Sequence, residues 1–545
     1  MLRASSLDAR LAAVWLAVVV QVGAALLSAT VVPQFTVPDE AHHFDMSEAV
    51  ATTRRMPAPG ERNMSTQVLQ ARVLSRRTSA HTTENAPARP RPPLDTLDRG
   101  VALARNNRAT QHPPLYYGLS GVLVRAVSSG AGLAWDQHVW LYRALNALLI
   151  APISLLAFTA AQRVGLGRNE QLVAALFPLT VSPYLVRAVP MVNNDALLVL
   201  LASAVVFFLV RVVTGDRSWG TVVWLGVLVA LAMLTKAYGL ILAVLIPLAY
   251  GIEWLRHRPR EDARLLATRA AASLGAAAVL GGWWWARNIV LYGTVQPAAD
   301  GRVPADPGFV ADIPAWGVAF VEFFVRSFWF FGPAPTQSTN GPVAFVLTLL
   351  IVVLSVVAAV TGRRRRAAVW LLIASAGAFV GGAMVWSLQL YVGAGRIGGA
   401  QGRYLYPALV ALGVLVAAGL TAAPARVRRW APMAVGVLGV VLLMAQLRAV
   451  LVGRYAPGGD WSDRVAALFA WSPWPAWTLV VTAAATAIAA AGLVLFTAAA
   501  SSRPRATATA ATAAGDPADG EPAPGVDGTD VAGPQRATGP RAGGR

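Results

Sequence analysis

Long apolar runs, separated by short polar segments, follow one another along most of the chain. The first run, residues 11–32, is too long for a signal-peptide core and long enough to cross a bilayer as a helix, although cleavage near Ser28 is an alternative. Eleven further candidate spans occupy residues 139–162, 171–188, 194–213, 220–235, 238–254, 270–286, 342–362, 367–391, 404–422, 431–451 and 475–499. This pattern predicts an all-α polytopic membrane protein with about twelve transmembrane helices.

Arginines in the short connections predict the orientation of the chain, because Lys and Arg are enriched in cytoplasmic loops. Five connections carry them, at Arg163 and Arg168, Arg211 and Arg217, residues 256–269, residues 363–366, and Arg426, Arg428 and Arg429. Residues 1–10 and the tail 501–545 are then cytoplasmic. Segments 33–137 and 287–341 become outer loops of a transmembrane domain that covers residues 11–500. The tail is rich in Ala, Thr, Pro and Gly, and we expect it to be disordered.

One short apolar segment, residues 113–128, does not fit the pattern of spans. If it crossed the membrane, residues 129–138 would be cytoplasmic, yet they contain Asp136 and neither Lys nor Arg. We therefore predict a helix that lies on the membrane surface or re-enters it. The first outer loop would then be a long extracytoplasmic loop that carries short surface helices.

The composition excludes an ordinary soluble enzyme. Apolar residues make up 56% of the chain and charged residues 13%, whereas about 25% charged residues is usual for soluble domains. The net charge is +19, and Lys236 is the only lysine. Because many arginines fall in the predicted cytoplasmic loops, the charge indicates membrane topology, and no nucleic-acid partner is expected. The absence of cysteine excludes disulfides, thiolate metal sites and a cysteine nucleophile.

Polar residues near the membrane are costly and are therefore functional candidates. The first cluster, residues 37–44, follows the first span and contains Asp39, Glu40 and His43. A helix that starts at Asp39 would place His43 one turn later on the same face, and a carboxylate beside an imidazole suits a general base. Two alternatives stay open: Asp39 caps the helix and its neighbours are solvated, or the Asp and His side chains bind a metal ion.

Further polar groups lie at the predicted outer ends of later spans. Tyr116 and Tyr117 could anchor the chain at the membrane interface or contact a substrate, and Asp195 could belong to an N-cap. Lys236 could extend to the lipid headgroups or contact a phosphate. Four cationic side chains could bind an anion delivered from the lipid: Arg287, Arg396, Arg403 and Lys236.

Six motifs occur in a recognisable order: Pro38-Asp39-Glu40 with His43-Phe44, His112-Pro113-Pro114-Leu115-Tyr116-Tyr117, Asn194-Asp195-Ala196-Leu197, Leu234-Thr235-Lys236, Arg287-Asn288 with Tyr292-Gly293, and Gln401-Gly402-Arg403-Tyr404 with Pro407. Together they resemble a family of bacterial polytopic proteins known as a predicted membrane protein domain of unknown function. That family is similar to the GT-C glycosyltransferases. The resemblance covers about residues 10–500 and implies a GT-C-like fold.

The resemblance also implies a function. It implies a glycosyltransferase in the plasma membrane that moves a sugar, with inversion, from a polyprenyl-phosphate donor to a glycan, lipid or protein acceptor on the outer face. The implied base is Asp39, with Glu40 the close contender and His43 beside them. The implied donor-phosphate contacts are Lys236, Arg287 and Arg403. The other implied substrate contacts are His112, Tyr116, Tyr117, Asn194, Asp195, Asn288 and Gln401.

No cofactor is assigned, and a role for a divalent cation stays open. Two other classes of protein remain as alternatives. One is a transporter or flippase for a glycolipid or polysaccharide precursor, which would need polar groups along a path at mid-membrane. The other is a non-catalytic membrane protein of envelope assembly.

Overall fold

The computed structural model describes residues 6–502 apart from 76–79, 98–105, 182–184, 186–190, 258–259, 300–303 and 330–340. Throughout these residues the regular structure is helical, and β-type pairing is confined to isolated bridges such as Asn63 with Asn106. The prediction of an all-α protein is confirmed. The expected disordered tail lies almost wholly outside the described residues.

The helices follow one another with short connections, except in the two long loops, residues 33–137 and 287–341. In chain order they are α1 (Ser6–Val31), α2 (Glu40–Thr53), α3 (Thr66–Ser75), α4 (Leu115–Ser128), α5 (Trp135–Leu149), α6 (Ile153–Arg163), α7 (Arg168–Thr180), α8 (Asp195–Val213), α9 (Trp219–Met233), α10 (Gly239–His257), α11 (Arg260–Ala277), α12 (Trp283–Tyr292), α13 (Ile313–Trp329), α14 (Gly341–Thr361), α15 (Arg366–Ala394), α16 (Leu409–Leu420), α17 (Ala425–Arg454), α18 (Trp461–Trp471) and α19 (Ala476–Ser502).

Ten stretches of the described helices are long and apolar enough to cross a membrane. They are Ala9–Val31, Trp135–Arg163, Asp195–Val213, Gly239–Arg256, Ala263–Tyr292, Gly341–Thr361, Arg363–Ala394, Gly402–Leu420, Ala425–Arg454 and Ala476–Ala499. The polytopic membrane architecture is confirmed, whereas the count of twelve is not. Helix α9 has 15 residues, about 22 Å at 1.5 Å per residue, against a hydrocarbon core of about 30 Å. Helix α7, Arg168–Thr180, has 13 residues.

Helix α16 lies at the centre of the bundle, since every residue from Leu409 to Gly419 is buried. It packs against α14 and α7, while α1 packs along α19. Small residues permit these close approaches, as is usual between membrane helices. At Gly419, for example, a Cβ atom would lie 2.2 Å from the carbonyl oxygen of Leu354 on α14.

The first long loop folds against one end of the bundle. We call this end, which comprises α2, α3, α4 and residues 293–299, the loop-rich end. Helix α4 coincides with the short segment predicted to lie outside the spans. Ser47 on α2 and Ser120 on α4 join the two helices by a hydrogen bond of 3.0 Å. Helix α4 also exposes apolar side chains, including Val122 and Val127, which fits contact with lipid. Helix α13, in the second long loop, was not expected.

Candidate active site

A cavity of about 550 Å³ at the loop-rich end gathers residues from distant parts of the chain. Among the predicted site residues, those that line it are Asp39, His43, His112, Asp195, Lys236 and Arg403. The other lining residues are Gln111, Ala237, Tyr238, Leu240, Ile241, Gln296, Gly381, Gly382, Val385, Trp386, Gln389 and Tyr404. The structure therefore brings two carboxylates, two cations and two imidazoles into one chamber.

Asp39 stands immediately before α2 with a left-handed backbone, φ 64°. Asp and Asn tolerate this conformation better than most residues because their short polar side chains bond locally. Within the described part of the chain, the Asp39 side chain makes no capping hydrogen bond to α2. The carboxylate is exposed and faces the cavity. The geometry does not support the capping alternative.

Glu40 occupies a different environment from its neighbour. Its carboxylate is buried and receives Arg143 Nε at 2.7 Å and Arg143 Nη2 at 2.8 Å. The backbone N–H groups of Phe35 and Val192 donate to the same carboxylate at 2.7 Å and 3.2 Å. Glu40 is not among the lining residues of the cavity. The buried pair instead fixes the turn that carries Asp39.

Arg143 extends this brace to the end of α1. Its Nη1 donates to the carbonyl oxygens of Ala29 at 2.8 Å and Val32 at 2.6 Å, and its Nη2 donates to that of Pro33 at 3.2 Å. These carbonyls belong to the last turn of α1 and the residues after it, where a helix leaves acceptors without intrahelical partners. Arg143 therefore links α5 to the turn between α1 and α2.

Asp195, Lys236 and Arg403 form a charged cluster on another wall. Asp195 begins α8, Lys236 lies between α9 and α10, and Arg403 lies in the 3₁₀ turn Gly402–Ala408. The Lys236 ammonium contacts one Asp195 oxygen, and Arg403 Nη1 lies 3.5 Å from the other. One carboxylate thus faces two cations, which leaves a net positive charge. Lys236 is 9% exposed, so it does not extend into bulk water.

Aromatic rings pack beside these cations. The Lys236 ammonium lies 5.4 Å from the centre of the Tyr404 ring, and the Arg403 guanidinium lies 5.7 Å from it. Tyr238 stacks on Tyr404 with ring centres 4.7 Å apart. A ring face attracts a cation through its quadrupole. The rings therefore hold the two cations at the cavity wall without neutralising them.

The imidazoles of His43 and His112 stack with ring centres 5.5 Å apart. His43 Nδ1 and the Tyr117 hydroxyl are hydrogen-bonded at 2.8 Å. Burial, followed by the positive charge of Lys236, lowers the pKa of His112 to about 3. Burial and the neighbouring His112 hold the pKa of His43 well below its ordinary value. Both rings are therefore neutral near pH 7 and offer polar contacts to a substrate.

Several predicted site residues lie outside the lining of the cavity. The Arg287 guanidinium lies over Trp284 at 5.1 Å and over Tyr292 at 5.7 Å, both on its own helix α12. Asn288 Nδ2 donates to the carbonyl oxygen of Val295 at 3.1 Å. That contact holds the segment that places Gln296 in the cavity wall.

The remaining predicted residues connect elements behind the cavity. The Tyr116 hydroxyl donates to Asn146 Oδ1 at 3.2 Å. Asn194 Nδ2 donates to the carbonyl oxygen of Thr235 at 3.0 Å, which ties the start of α8 to the residue before Lys236. Gln401 immediately precedes the turn that carries Arg403. These residues position the lining of the cavity.

The sequence did not single out the apolar wall. Leu240 and Ile241 at the start of α10 face Val385 and the pair Gly381–Gly382 on α15. At Gly382 a Cβ atom would lie 2.7 Å from Ile241 Cδ1. Both helices contain candidate spans, so this wall adjoins the membrane part of the bundle. Such residues resemble any span in sequence, and only the packing identifies them.

The structure gives no support to a metal site. Among the described residues, no group of three or more His, Cys, Asp and Glu side chains is arranged to hold a metal ion. A substrate-bound divalent cation stays open.

The helical bundle and its polar chamber define a polytopic membrane protein with a candidate active site at one end. The chain belongs to the family of predicted membrane proteins DUF2142, whose model matches residues 22–412. This confirms the family to which the motifs pointed. A comparison with curated proteins finds no significant match.

Solved structures with a similar fold include ArnT from Cupriavidus metallidurans bound to undecaprenyl phosphate, with 16% identity and a TM-score of 0.46. The match covers 88% of this chain and 74% of ArnT. The Archaeoglobus fulgidus oligosaccharyltransferase in complex with Zn and sulfate matches with 12% identity and a TM-score of 0.43, over 82% of this chain and 54% of that one. The same organism's AglB, in complex with an inhibitory peptide and a dolichol-phosphate, matches with 13% identity and a TM-score of 0.39, over 89% and 55%.

Proposed function

We propose that this protein is a membrane glycosyltransferase that moves a sugar from a polyprenyl-phosphate donor to an acceptor hydroxyl. The observation that carries the proposal is the cavity in which Asp39 faces the same space as Lys236 and Arg403. A carboxylate base and a phosphate-binding pair of cations are the two groups that this reaction requires. In the predicted orientation the cavity opens on the outer face of the plasma membrane, and both termini are cytoplasmic.

The proposed chemistry is a single displacement. The acceptor hydroxyl oxygen attacks the anomeric carbon and gives its proton to Asp39, while the bond from that carbon to the donor phosphate oxygen breaks. The phosphate leaves with the bonding electrons, so the configuration at the anomeric carbon inverts. A positioned base typically contributes about 10²–10⁴-fold in rate. Lys236 and Arg403 stabilise the charge that grows on the departing phosphate.

The base is assigned to Asp39 instead of Glu40 because of their surroundings. Asp39 is exposed to the cavity, whereas both oxygens of Glu40 accept hydrogen bonds from Arg143 and from backbone N–H groups. These four hydrogen bonds commit both Glu40 oxygens to structural contacts. Glu40 therefore acts as a positioning residue.

The apolar wall suits a donor that carries a lipid chain. Leu240, Ile241 and Val385 line the cavity on helices that contain candidate spans. A polyprenyl chain could lie along this wall while its phosphate contacts the Asp195–Lys236–Arg403 cluster. The neutral rings of His43 and His112 would then contact the sugar hydroxyls.

The test uses the full-length protein in lipid nanodiscs and a panel of polyprenyl-phosphate donors with radiolabelled hexoses or pentoses. Transfer to glycan, lipid or peptide acceptors is measured for the unaltered protein and for Asp39→Asn. The matched control is Asp306→Asn, which changes an exposed aspartate outside the cavity. We expect Asp39→Asn to lose about 10²–10⁴-fold in rate and the control to keep full activity.

Full activity in Asp39→Asn would contradict the assignment of the base. Movement of the intact donor lipid across a vesicle membrane, without sugar transfer to any acceptor, would instead identify a flippase and contradict the transferase. The two assays together separate the enzyme from the transporter.

A further inference from the structure

A second chamber of about 380 Å³ adjoins the first. The residues that line both chambers are Asp39, His43, Gln111, His112, Gln296 and Trp386. The second chamber is completed by His42, Arg108, Ala109, Ala298, Leu390, Arg396 and Gly399. Asp39 therefore stands on the boundary between two spaces, and a molecule in either one can reach its carboxylate.

The two chambers overlap along α15. Residues from Gly381 to Gln389 line the first chamber, whereas Trp386 and Leu390 line the second. Arg396 and Gly399, which also line the second chamber, lie beyond the end of the helix. On this wall the second chamber is therefore formed by the last turns of α15 and by the residues that follow the helix.

The charges of the second chamber differ from those of the first. Of the described residues, the charged ones that line it are Asp39, Arg108 and Arg396. The two arginines belong to separate segments, Arg108 to the 3₁₀ turn Arg108–Gln111 and Arg396 to the turn after α15. The first chamber, by contrast, contains two carboxylates and two cations.

We propose that the second chamber binds the acceptor and that this acceptor is an anionic glycan, a sugar that carries a carboxylate or phosphate beside its reactive hydroxyl. The inference rests on the transferase proposed above. A planar guanidinium matches carboxylate and phosphate oxygens in a bidentate arrangement, so Arg108 and Arg396 select the anionic group. The acceptor hydroxyl then meets Asp39 from one side while the donor phosphate occupies the other. This arrangement places the attacking and departing oxygens on opposite sides of the anomeric carbon, as inversion requires.

The test is a binding measurement on the full-length protein in phosphatidylcholine nanodiscs. The probes are a fluorescein-labelled oligosaccharide of glucuronic acid and a neutral oligosaccharide of glucose with the same length and label. Fluorescence anisotropy should show that the anionic probe binds at least about tenfold more tightly, the equivalent of about 1.4 kcal/mol. Arg396→Gln and Arg108→Gln should each weaken its binding by about tenfold, as expected for the loss of one charge-assisted contact.

The matched control is Arg55→Gln. Arg55 is 75% exposed and pairs with Glu61, and it lines neither chamber. This variant should bind the anionic probe as the unaltered protein does. Charge reversal in Arg396→Glu should weaken binding more than Arg396→Gln. Because Arg396 is exposed in a turn, neither substitution should lower the thermal-unfolding midpoint.

Equal binding of the two probes, or equal binding of the anionic probe by the unaltered protein and Arg396→Glu, would overturn the inference. Displacement of the probe when phosphatidylglycerol replaces phosphatidylcholine would assign the site to an anionic lipid headgroup and would overturn the glycan assignment.

A separate measurement of polyprenyl-phosphate binding distinguishes the two proposals. Arg396→Gln should leave that binding unchanged. If the anionic probe binds in an Arg396-dependent manner but no donor yields sugar transfer, the transferase proposal fails and the anion site remains.

Discussion

Replacement of the carboxylate by an amide should have different effects at the adjacent residues Asp39 and Glu40. Asp39→Asn removes the proposed base from the cavity and keeps a residue that tolerates the left-handed backbone at φ 64°. Glu40→Gln changes a side chain that lies outside the cavity and accepts four hydrogen bonds. We expect the first variant to lose activity at unchanged stability, and the second to lose stability.

The magnitudes follow from the contacts. In Glu40→Gln, an amide NH₂ group replaces an oxygen that accepts from Arg143 and from a backbone N–H. The new NH₂ donor then points at two other donors, and both hydrogen bonds to that oxygen are lost. Arg143, with a fully buried side chain, also keeps a charge without its counterion. Breaking a buried pair in this way costs about 3–5 kcal/mol. Asp39 is exposed, and surface substitutions usually change stability by less than about 0.5 kcal/mol.

The assay compares both variants in detergent micelles by intrinsic tryptophan fluorescence during heating, since the chain has 18 tryptophans. Transfer of radiolabelled sugar is measured on the same preparations below the unfolding temperature. Asp306→Asn is the control for both readouts. The reasoning is refuted if Asp39→Asn unfolds as early as Glu40→Gln, or if Asp39→Asn retains full transfer.

Three further predictions concern the walls of the two chambers. Lys236→Met should weaken binding of a polyprenyl phosphate by about tenfold in a scintillation binding assay, because it removes one ionic contact and keeps the apolar stem; unchanged binding would exclude Lys236 from the donor site. Gly399→Ala should lower the unfolding midpoint more than the control Gly393→Ala, because Gly399 has φ +70° and its Cβ would lie 2.4 Å from Trp386 Cδ1, whereas Gly393 has open space. Burial lowers the pKa of His112 to about 3, whereas the pKa of a histidine in an unfolded chain is about 6.5. Between these pH values the unfolded state binds more protons than the folded state, so the free energy of unfolding should fall as the pH decreases from about 6.5 towards 3. This fall should be shallower in His112→Gln.

Much of the fold was predictable because a bilayer restricts the choices of the chain. A span needs a long apolar run, and polar side chains are then confined to the ends of spans. This reasoning located Asp39, Lys236 and Arg403, which do line one cavity. It also predicted that residues 113–128 are not a span, and α4, with 14 residues, is not among the ten candidate spans of the described helices. The number of spans was harder to predict, because α9 has only 15 residues.

The contacts of Glu40 needed tertiary information, whereas those of Arg287 did not. Glu40 stands next to Asp39 in sequence, but its partner Arg143 lies 103 positions away. Nothing in the sequence pattern joins the two. Arg287 lies against a more local group, since Trp284 is three residues earlier on the same helix. Side chains three apart on a helix are neighbours, so the sequence alone could predict this contact.

The left-handed backbone at Phe35 and Asp39 is held in place by the buried Glu40–Arg143 pair. A left-handed conformation at a residue other than glycine persists only where the surroundings impose it. Both Phe35 and Asp39 adopt it, and Glu40 accepts from the Phe35 N–H while it is held by Arg143. An aspartate immediately before a helix would ordinarily bond the first N–H groups of that helix. The Asp39 carboxylate instead faces both chambers. In the proposed mechanism, the Glu40–Arg143 pair therefore supports catalysis by fixing the turn that directs the Asp39 side chain.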